Sequence, residues 1–317
     1  MADRDNQHYV SKMYLRAFLD PTLVAKSKHQ VWVYTAAKEP EARGVDRVGS
    51  QHRFYDIPGA IDVEIAEKSF SKMEAIAGRH LPRLLAGDIG LTDQEKAEFA
   101  WFVAAAMNRT PLAFEMTNAS IVGTFRLQVK DRLNDPAELQ RIADELTAEG
   151  VRVTVDRVRE LCEQIVKGEA KLVQRDRGAT IVQMFKSIEY WGECFRHMTW
   201  VLCAAPVESK FITTDSPVNV NDEEAMKQSF GEYTGPTRAV RFYFPISPEF
   251  ALTGAFHKAH DQVSRVDSSW VQAANTAMIA RAYREVYASF KSDVLRDEIN
   301  KRHSERKPPI PPPEVLD

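Results

Sequence analysis

The sequence predicts an α+β fold: a helical middle set between a small N-terminal β element and a C-terminal antiparallel sheet. From about residue 61 to 198, apolar side chains recur every three to four positions, the period of a helix. From 199 to 254 the pattern changes to short β-branched and aromatic runs divided by Pro and Gly, which is strand chemistry. Near the start, Gln30-Val31-Trp32-Val33-Tyr34 has the same composition. Strands, then helices, then strands argue for α+β over a doubly wound sheet.

Taken in order, the Gln30–Tyr34 strand is expected to pair with Arg53-Phe54-Tyr55-Asp56 across a loop. A helix follows from Ile61, with Ile65, Phe70, Met73, Ile76 and Leu81 in register until Pro82, and it carries Glu67 and Glu74 on one face. Thr92-Asp93-Gln94-Glu95 has the form of a capping box: the threonine oxygen accepts from a free N–H while Glu95 reaches back to the threonine's own. The long helix that starts there should break or kink at Arg109-Thr110-Pro111, since proline lacks a donor. Helical register continues over residues 117–133, 136–147, 155–166 and 172–195. The β runs are Trp200 to Cys203, Phe211 to Thr213, Val218 to Val220, Val240 to Phe244 and Phe250 to Leu252. A helix from about Ser268 and a closing strand at Val286-Tyr287-Ala288 complete the pattern.

The expected organisation is one domain over residues 1–306: a helical part over about 61–198, a mainly β part over about 199–254 and C-terminal helices over about 268–303. A proline-rich tail occupies 307–317. Proline fixes φ and removes donors, so the tail should be extended polyproline, disordered or pinned on a groove, where it can serve partner binding or self-association.

With 42 basic and 45 acidic residues the net charge is −3, which gives no global attraction to nucleic acid. The best basic run, Arg152 to Arg177, has acidic residues threaded through it and reads as a solvated helix face. No apolar run reaches bilayer length, so no membrane association is expected. Cys162, Cys194 and Cys203 are odd in number, lack metal spacing and accompany no signal-peptide pattern. Together they imply buried, reduced thiols and a cytoplasmic protein.

The densest mixture of polar and aromatic groups is the opening stretch, Asn6-Gln7-His8-Tyr9-Val10-Ser11-Lys12-Met13-Tyr14-Leu15-Arg16-Ala17-Phe18. Together with Phe54-Tyr55, Arg109-Thr110-Pro111, Phe211-Ile212-Thr213-Thr214-Asp215-Ser216-Pro217-Val218 and Phe244-Pro245-Ile246-Ser247-Pro248, it resembles the family known as domain of unknown function 4238. The motifs spread over nearly the whole chain. Ser11 stands where the family pattern has proline, and Thr214 where it has serine; a serine can still cap a helix there. The resemblance implies no known activity, cofactor or catalytic residue.

Among single residues, His8 can be a metal ligand, a general base or a phosphate contact, or a buried histidine satisfied by the backbone. Asp215 can ligate a metal or activate water, or close an Asx-turn before Pro217. Arg109 and Arg16 can clamp an anion, or complement a helix C-terminus. Glu67 and Glu74 lie about 10 Å apart at about 1.5 Å rise per residue, and a solvated face is the favoured reading. His257-Lys258-Ala259-His260-Asp261 reads as exposed loop, and the Tyr14/Phe18 and Leu15/Leu19 pairs as core. Phosphate-loop, nucleophile-elbow, His-Glu-x-x-His, Cys-x-x-Cys and kinase signatures are absent. The expectation is a polar pocket in which His8 and Asp215 are catalytic and Arg16 and Arg109 bind substrate. A divalent metal is a possible cofactor, and the activity would be that of a hydrolase on a phosphate-containing or nucleic-acid substrate. The alternative is a non-catalytic ligand-sensing or protein-interaction module.

Overall fold

A computed structural model describes residues 6–24, 28–56, 64–170, 177–222 and 237–305. The opening stretch forms a short strand, β1 (Asn6–His8), a single helical turn, α1 (Lys12–Leu15), and after a 3-10 turn a second short helix, α2 (Pro21–Val24). Next come β2 (Gln30–Thr35), β3 (Glu41–Gly44) and β4 (Ser50–His52). β1 pairs antiparallel with β4, and Tyr9 and Val10 both donate to the Gly49 carbonyl. Gly49 has φ +61 and a Cβ there would lie 2.7 Å from the Val10 Cβ, so only glycine allows this approach.

β2 pairs with β3 rather than with residues 53–56. That segment is a turn, held because Gln7 accepts from the Tyr55 N–H and donates to Asp56. The short spacing of β2 and β3 favours a hairpin over the longer loop that the aromatic pair Phe54-Tyr55 suggested.

The helices are α3 (Ile65–Ala77), α4 (Leu81–Leu85), α5 (Asp93–Asn108), α6 (Pro111–Arg132), α7 (Pro136–Ala148), α8 (Val155–Lys167) and α9 (Arg177–Arg196). The helix expected to run to Pro82 ends at Gly78, and Pro82 instead lies in the first turn of α4, where its missing N–H costs nothing. The capping box at Thr92 is present with both hydrogen bonds. At the predicted break, Thr110 caps α6 by accepting from Ala113 N–H, with Pro111 opening the helix. α5 is apolar nearly all round, with Phe99, Phe102, Val103 and three consecutive alanines buried, so it forms the centre of the molecule.

Two larger sheets follow from β5 (Thr199–Ala204), β6 (Thr213–Thr214), β7 (Asn219–Asn221), β8 (Arg241–Pro245), β9 (Phe250–Ala255), β10 (Gln262–Arg265) and β11 (Glu285–Ala288), with α10 (Ser268–Arg281) and α11 (Asp293–Glu305). One sheet has the order β10-β5-β9-β8-β7, the other β3-β2-β11-β6. The C-terminal sheet is thus mixed, because β10 joins β5 in parallel, and Phe211 to Thr213 contributes to the N-terminal sheet through β6. Alternation along β5, β8 and β9 buries Trp200, Leu202, Phe242, Phe244 and Leu252 in the main core with α5.

The 307–317 tail and residues 172–176 of the helix expected over 172–195 lie outside the described residues. Among the described residues no helix is long and apolar enough to cross a membrane. The three cysteines are free, two of them buried and Cys194 half-buried.

Candidate functional site

The N-terminal stretch is anchored by Tyr14, which stacks on Phe244. Its hydroxyl donates to the Pro245 carbonyl at 2.6 Å and shares a hydrogen bond with Thr213 Oγ1, so one side chain joins α1 to both larger sheets. Around that anchor the chain lays out two polar groups of residues.

The first centres on Arg109, at the C-terminal end of α5 and 1% exposed. Its Nη1 donates to Glu74 Oε1 at 2.6 Å, its guanidinium lies 5.5 Å from the Phe70 ring, and its carbonyl accepts from the Tyr55 hydroxyl. Among the described residues Nε and Nη2 have no hydrogen-bond partner. Nearby, His8 lies by the Asp46 backbone, whose pull on its pKa is opposite to that of burial, and among the described residues its Nε2 has no hydrogen-bond partner. Burial, then Lys12, push its pKa down to about 4, so the imidazole is neutral at physiological pH. Glu67 Oε2 is also buried without a partner, and burial raises that carboxyl against the opposing pull of Arg109. The charges of Lys12, Glu74 and Arg109 reach both His8 and Glu67. Glu67 and Glu74 therefore face Arg109 across the α3/α5 packing instead of forming a solvated face. Ser11 precedes α1 at the N-cap position but makes no capping bond, and its hydroxyl is buried without a partner.

The second group surrounds Asp215, which is fully buried. Its carboxylate accepts from the backbone N–H groups of Tyr283, Arg284 and Glu285 at 2.7, 2.6 and 2.9 Å. The local turn before Pro217 is made by its neighbour instead: Thr214 Oγ1 accepts from Ser216 N–H and donates to the Ser216 carbonyl. Burial raises Asp215 to about 7 although the three backbone bonds pull the other way. The charges of Asp215 and Glu285 reach Tyr9, and the Tyr287 hydroxyl donates to Glu285 at 2.7 Å.

A narrow crevice, too tight as it stands to admit a water molecule, lies between the two groups, walled by Tyr9, Ser11, Tyr14, Arg109 and Pro217 among others. The structure thus brings His8 and Arg109 into one electrostatic neighbourhood, while Pro217 carries the end of the Asp215 turn to the crevice, whose lining includes neither His8 nor Asp215. Arg16 is exposed and stands apart from the crevice lining. His257 to His260 are exposed and Asp261 is half-buried, accepting from Lys96 at 2.7 Å and from the Trp200 N–H. Arg177, read in sequence as part of a solvated face, lies 5.0 Å over Phe114 and donates to the Phe54 carbonyl. Among the described residues no three His, Cys, Asp or Glu side chains converge to hold a metal ion.

Ser11, Tyr9, Tyr287 and Glu285 complete the arrangement without any distinctive spacing. The only sequence signal for Glu67 and Glu74 was their shared helix face, which cannot say what the face meets.

No curated protein and no solved structure matches the chain. The family described as "Protein of unknown function (DUF4238)" matches residues 6–292. That span takes in the opening stretch, the end of α5, the Asp215 turn and β11, so the residues that build the crevice lie within the matched region and the chain belongs to the DUF4238 family.

Proposed function

We propose that this protein binds the phosphoryl group of a small ligand on the unused edge of Arg109 and hydrolyses it. The observation that carries the reading is that edge: a guanidinium 1% exposed, with Nε and Nη2 unpartnered. Side by side, these two donors match two oxygens of a phosphate or carboxylate, and leaving such donors unpaired costs about 1–3 kcal/mol each. The crevice admits no water molecule as it stands, so ligand entry requires its walls to part, and the end group of a small molecule demands less opening than a nucleic-acid strand.

His8 and Glu67 supply the proton chemistry. In water an imidazole holds its proton more tightly than a carboxyl by about two pKa units; burial inverts that order here, with His8 at about 4 and Glu67 raised from 4.5. Groups displaced in this way suit an acid and a base. His8 Nε2 takes the proton of the attacking water, the water oxygen bonds to phosphorus, and the P–O bond to the leaving alcohol breaks. Glu67 protonates the departing oxygen. Asp215 acts through the wall it holds, with its carboxylate engaged by three backbone donors. Arg16 has no part.

A ligand-sensing module without turnover is the second reading, favoured by the small crevice and by that engagement of Asp215. Isothermal titration with inorganic phosphate and turnover of p-nitrophenyl phosphate test both. Wild type should bind phosphate, Arg109→Lys should weaken binding about tenfold or more, and His8→Gln should bind but not hydrolyse. Binding without turnover in wild type selects the sensing reading. Absence of phosphate binding at millimolar concentration sinks both.

A further inference from the structure

On the far side of the C-terminal sheet from α5, the residues of β5, β7, β8 and β9 that point outward form two rows in register: Val201, Thr253, Tyr243 and Asn219, then Thr199, Ala255, Arg241 and Asn221. α10 packs along one side of this face. It presents Ala273, Ala274 and Ala277 there, with Trp270 one turn earlier, so the helix wall has almost no side-chain bulk where it overhangs the sheet. The result is a groove of about 440 Å³, within the range of small-molecule sites. It is a different place from the Arg109 crevice, since Phe242 and Phe244, on the opposite face of the sheet, separate the two.

The chemistry of the lining is one-sided. Trp270 and Tyr243 stand edge to face, with ring centroids 5.9 Å apart at 68°, and supply aromatic surface to the wall. The Thr199 hydroxyl is spent on the His257 and Ala259 carbonyls and the Thr253 hydroxyl on the Val201 carbonyl. Arg241, Asn219 and Asn221 are different: among the described residues their side chains make no hydrogen bond or ion pair. They line up at the β7/β8 end, with His257 toward the other end. No aspartate or glutamate is among the described residues of the lining. Among its described residues the site is therefore apolar in its body, hydrogen-bonding along one edge and positive, with no carboxylate to neutralise a bound cation.

We propose that this groove binds a small aromatic carboxylate: the ring system lies between α10 and the sheet against Trp270 and Tyr243, and the carboxylate meets Arg241 with Asn219 and Asn221 beside it. A neutral ring compound would gain only the apolar contact, and a cationic one would meet uncompensated positive charge.

Titration of the full chain with 2-naphthoate, followed by calorimetry, tests the proposal, with 2-naphthalenemethanol and 2-naphthylmethylamine as the neutral and cationic counterparts. The expected order is carboxylate tighter than alcohol by about tenfold, with no measurable binding of the amine. Arg241→Ala should cut carboxylate affinity about tenfold and leave the alcohol unchanged. Ala274→Phe should abolish binding of both by filling the groove. If the Phe variant fails to fold, Arg241→Ala decides alone, because that side chain is exposed and has no partner to lose among the described residues. Equal binding of the three compounds, carboxylate binding indifferent to Arg241→Ala, or no carboxylate binding at millimolar concentration each overturns the proposal. Arg109→Lys leaves this binding unaltered, so failure here is separable from failure at the crevice.

Discussion

At the scale of single residues, His8 and Asp215 are both buried and titrate away from their ordinary values in ways that tilt stability in opposite directions. Asp215 is raised from 3.8 to about 7, so between those values the folded state holds more protons than the unfolded one. Its contribution is full at acid pH and is lost as pH rises through about 7. His8 is lowered from 6.5 to about 4, so its contribution is present above 6.5 and is lost as pH falls toward 4. Asp215→Asn places an amide against three backbone donors and should cost about 1–3 kcal/mol at acid pH. Melting curves should show the gap between wild type and this variant narrowing from pH 4.5 to 7.5. With His8→Gln the trend should run the other way, wild type gaining relative to the variant over the same range. A gap that stays constant for both would show that neither group is perturbed. Sequence chemistry indicated that these two side chains matter, but not what each would meet: the partners of Asp215 are the N–H groups of residues 283–285, which any residue type would provide.

Single elements were legible in the sequence where a local rule applied, and less so where the partner decides. The Thr92 box, the break at Arg109-Thr110-Pro111 and the period of α5 are all contained in a few consecutive residues, and the structure has them, although the helix after the break starts at Pro111 and not at Thr117. β10 went unseen because Gln262-Val263-Ser264-Arg265 is a polar edge strand with Val263 half exposed, and its pairing with β5 supplies what its composition lacks. Phe211 to Thr213 was recognisable as β-type, yet its sheet was not, since hydrophobic period reports an element and not its neighbour. The strand pair β8/β9 shows how closely neighbours can be fitted. A Cβ on Gly254 would lie 2.1 Å from the Phe242 ring, its cross-strand partner, so the ring lies over bare backbone. Gly254→Ala should destabilise by about 1–3 kcal/mol through overpacking, and Phe242→Leu in the same chain should recover part of the loss in a denaturant titration. Additive losses in the double variant would contradict this account.

At the scale of the whole molecule, the two ends of the chain are built into one another. β11 sits between β2 and β6, the Asp215 carboxylate holds the backbone that leads into it, and the Tyr34 hydroxyl donates to the Phe290 carbonyl and accepts from Ser292 N–H. The N-terminal sheet should therefore open as one unit. Amides of β2 and β11 are expected to exchange with deuterium at a common opening free energy, and exchange of β11 orders of magnitude faster than β2 would be incompatible with it.

The same arrangement sets a timetable for synthesis. Tyr34 and Phe290 are 256 residues apart, so at about 5–20 residues per second the ribosome needs roughly 10–50 s after making β2 to deliver the strand that completes its sheet. Throughout that interval Val31, Val33 and Tyr34 lack their final neighbour, and the apolar surface of an unpaired strand stays open to association with other chains.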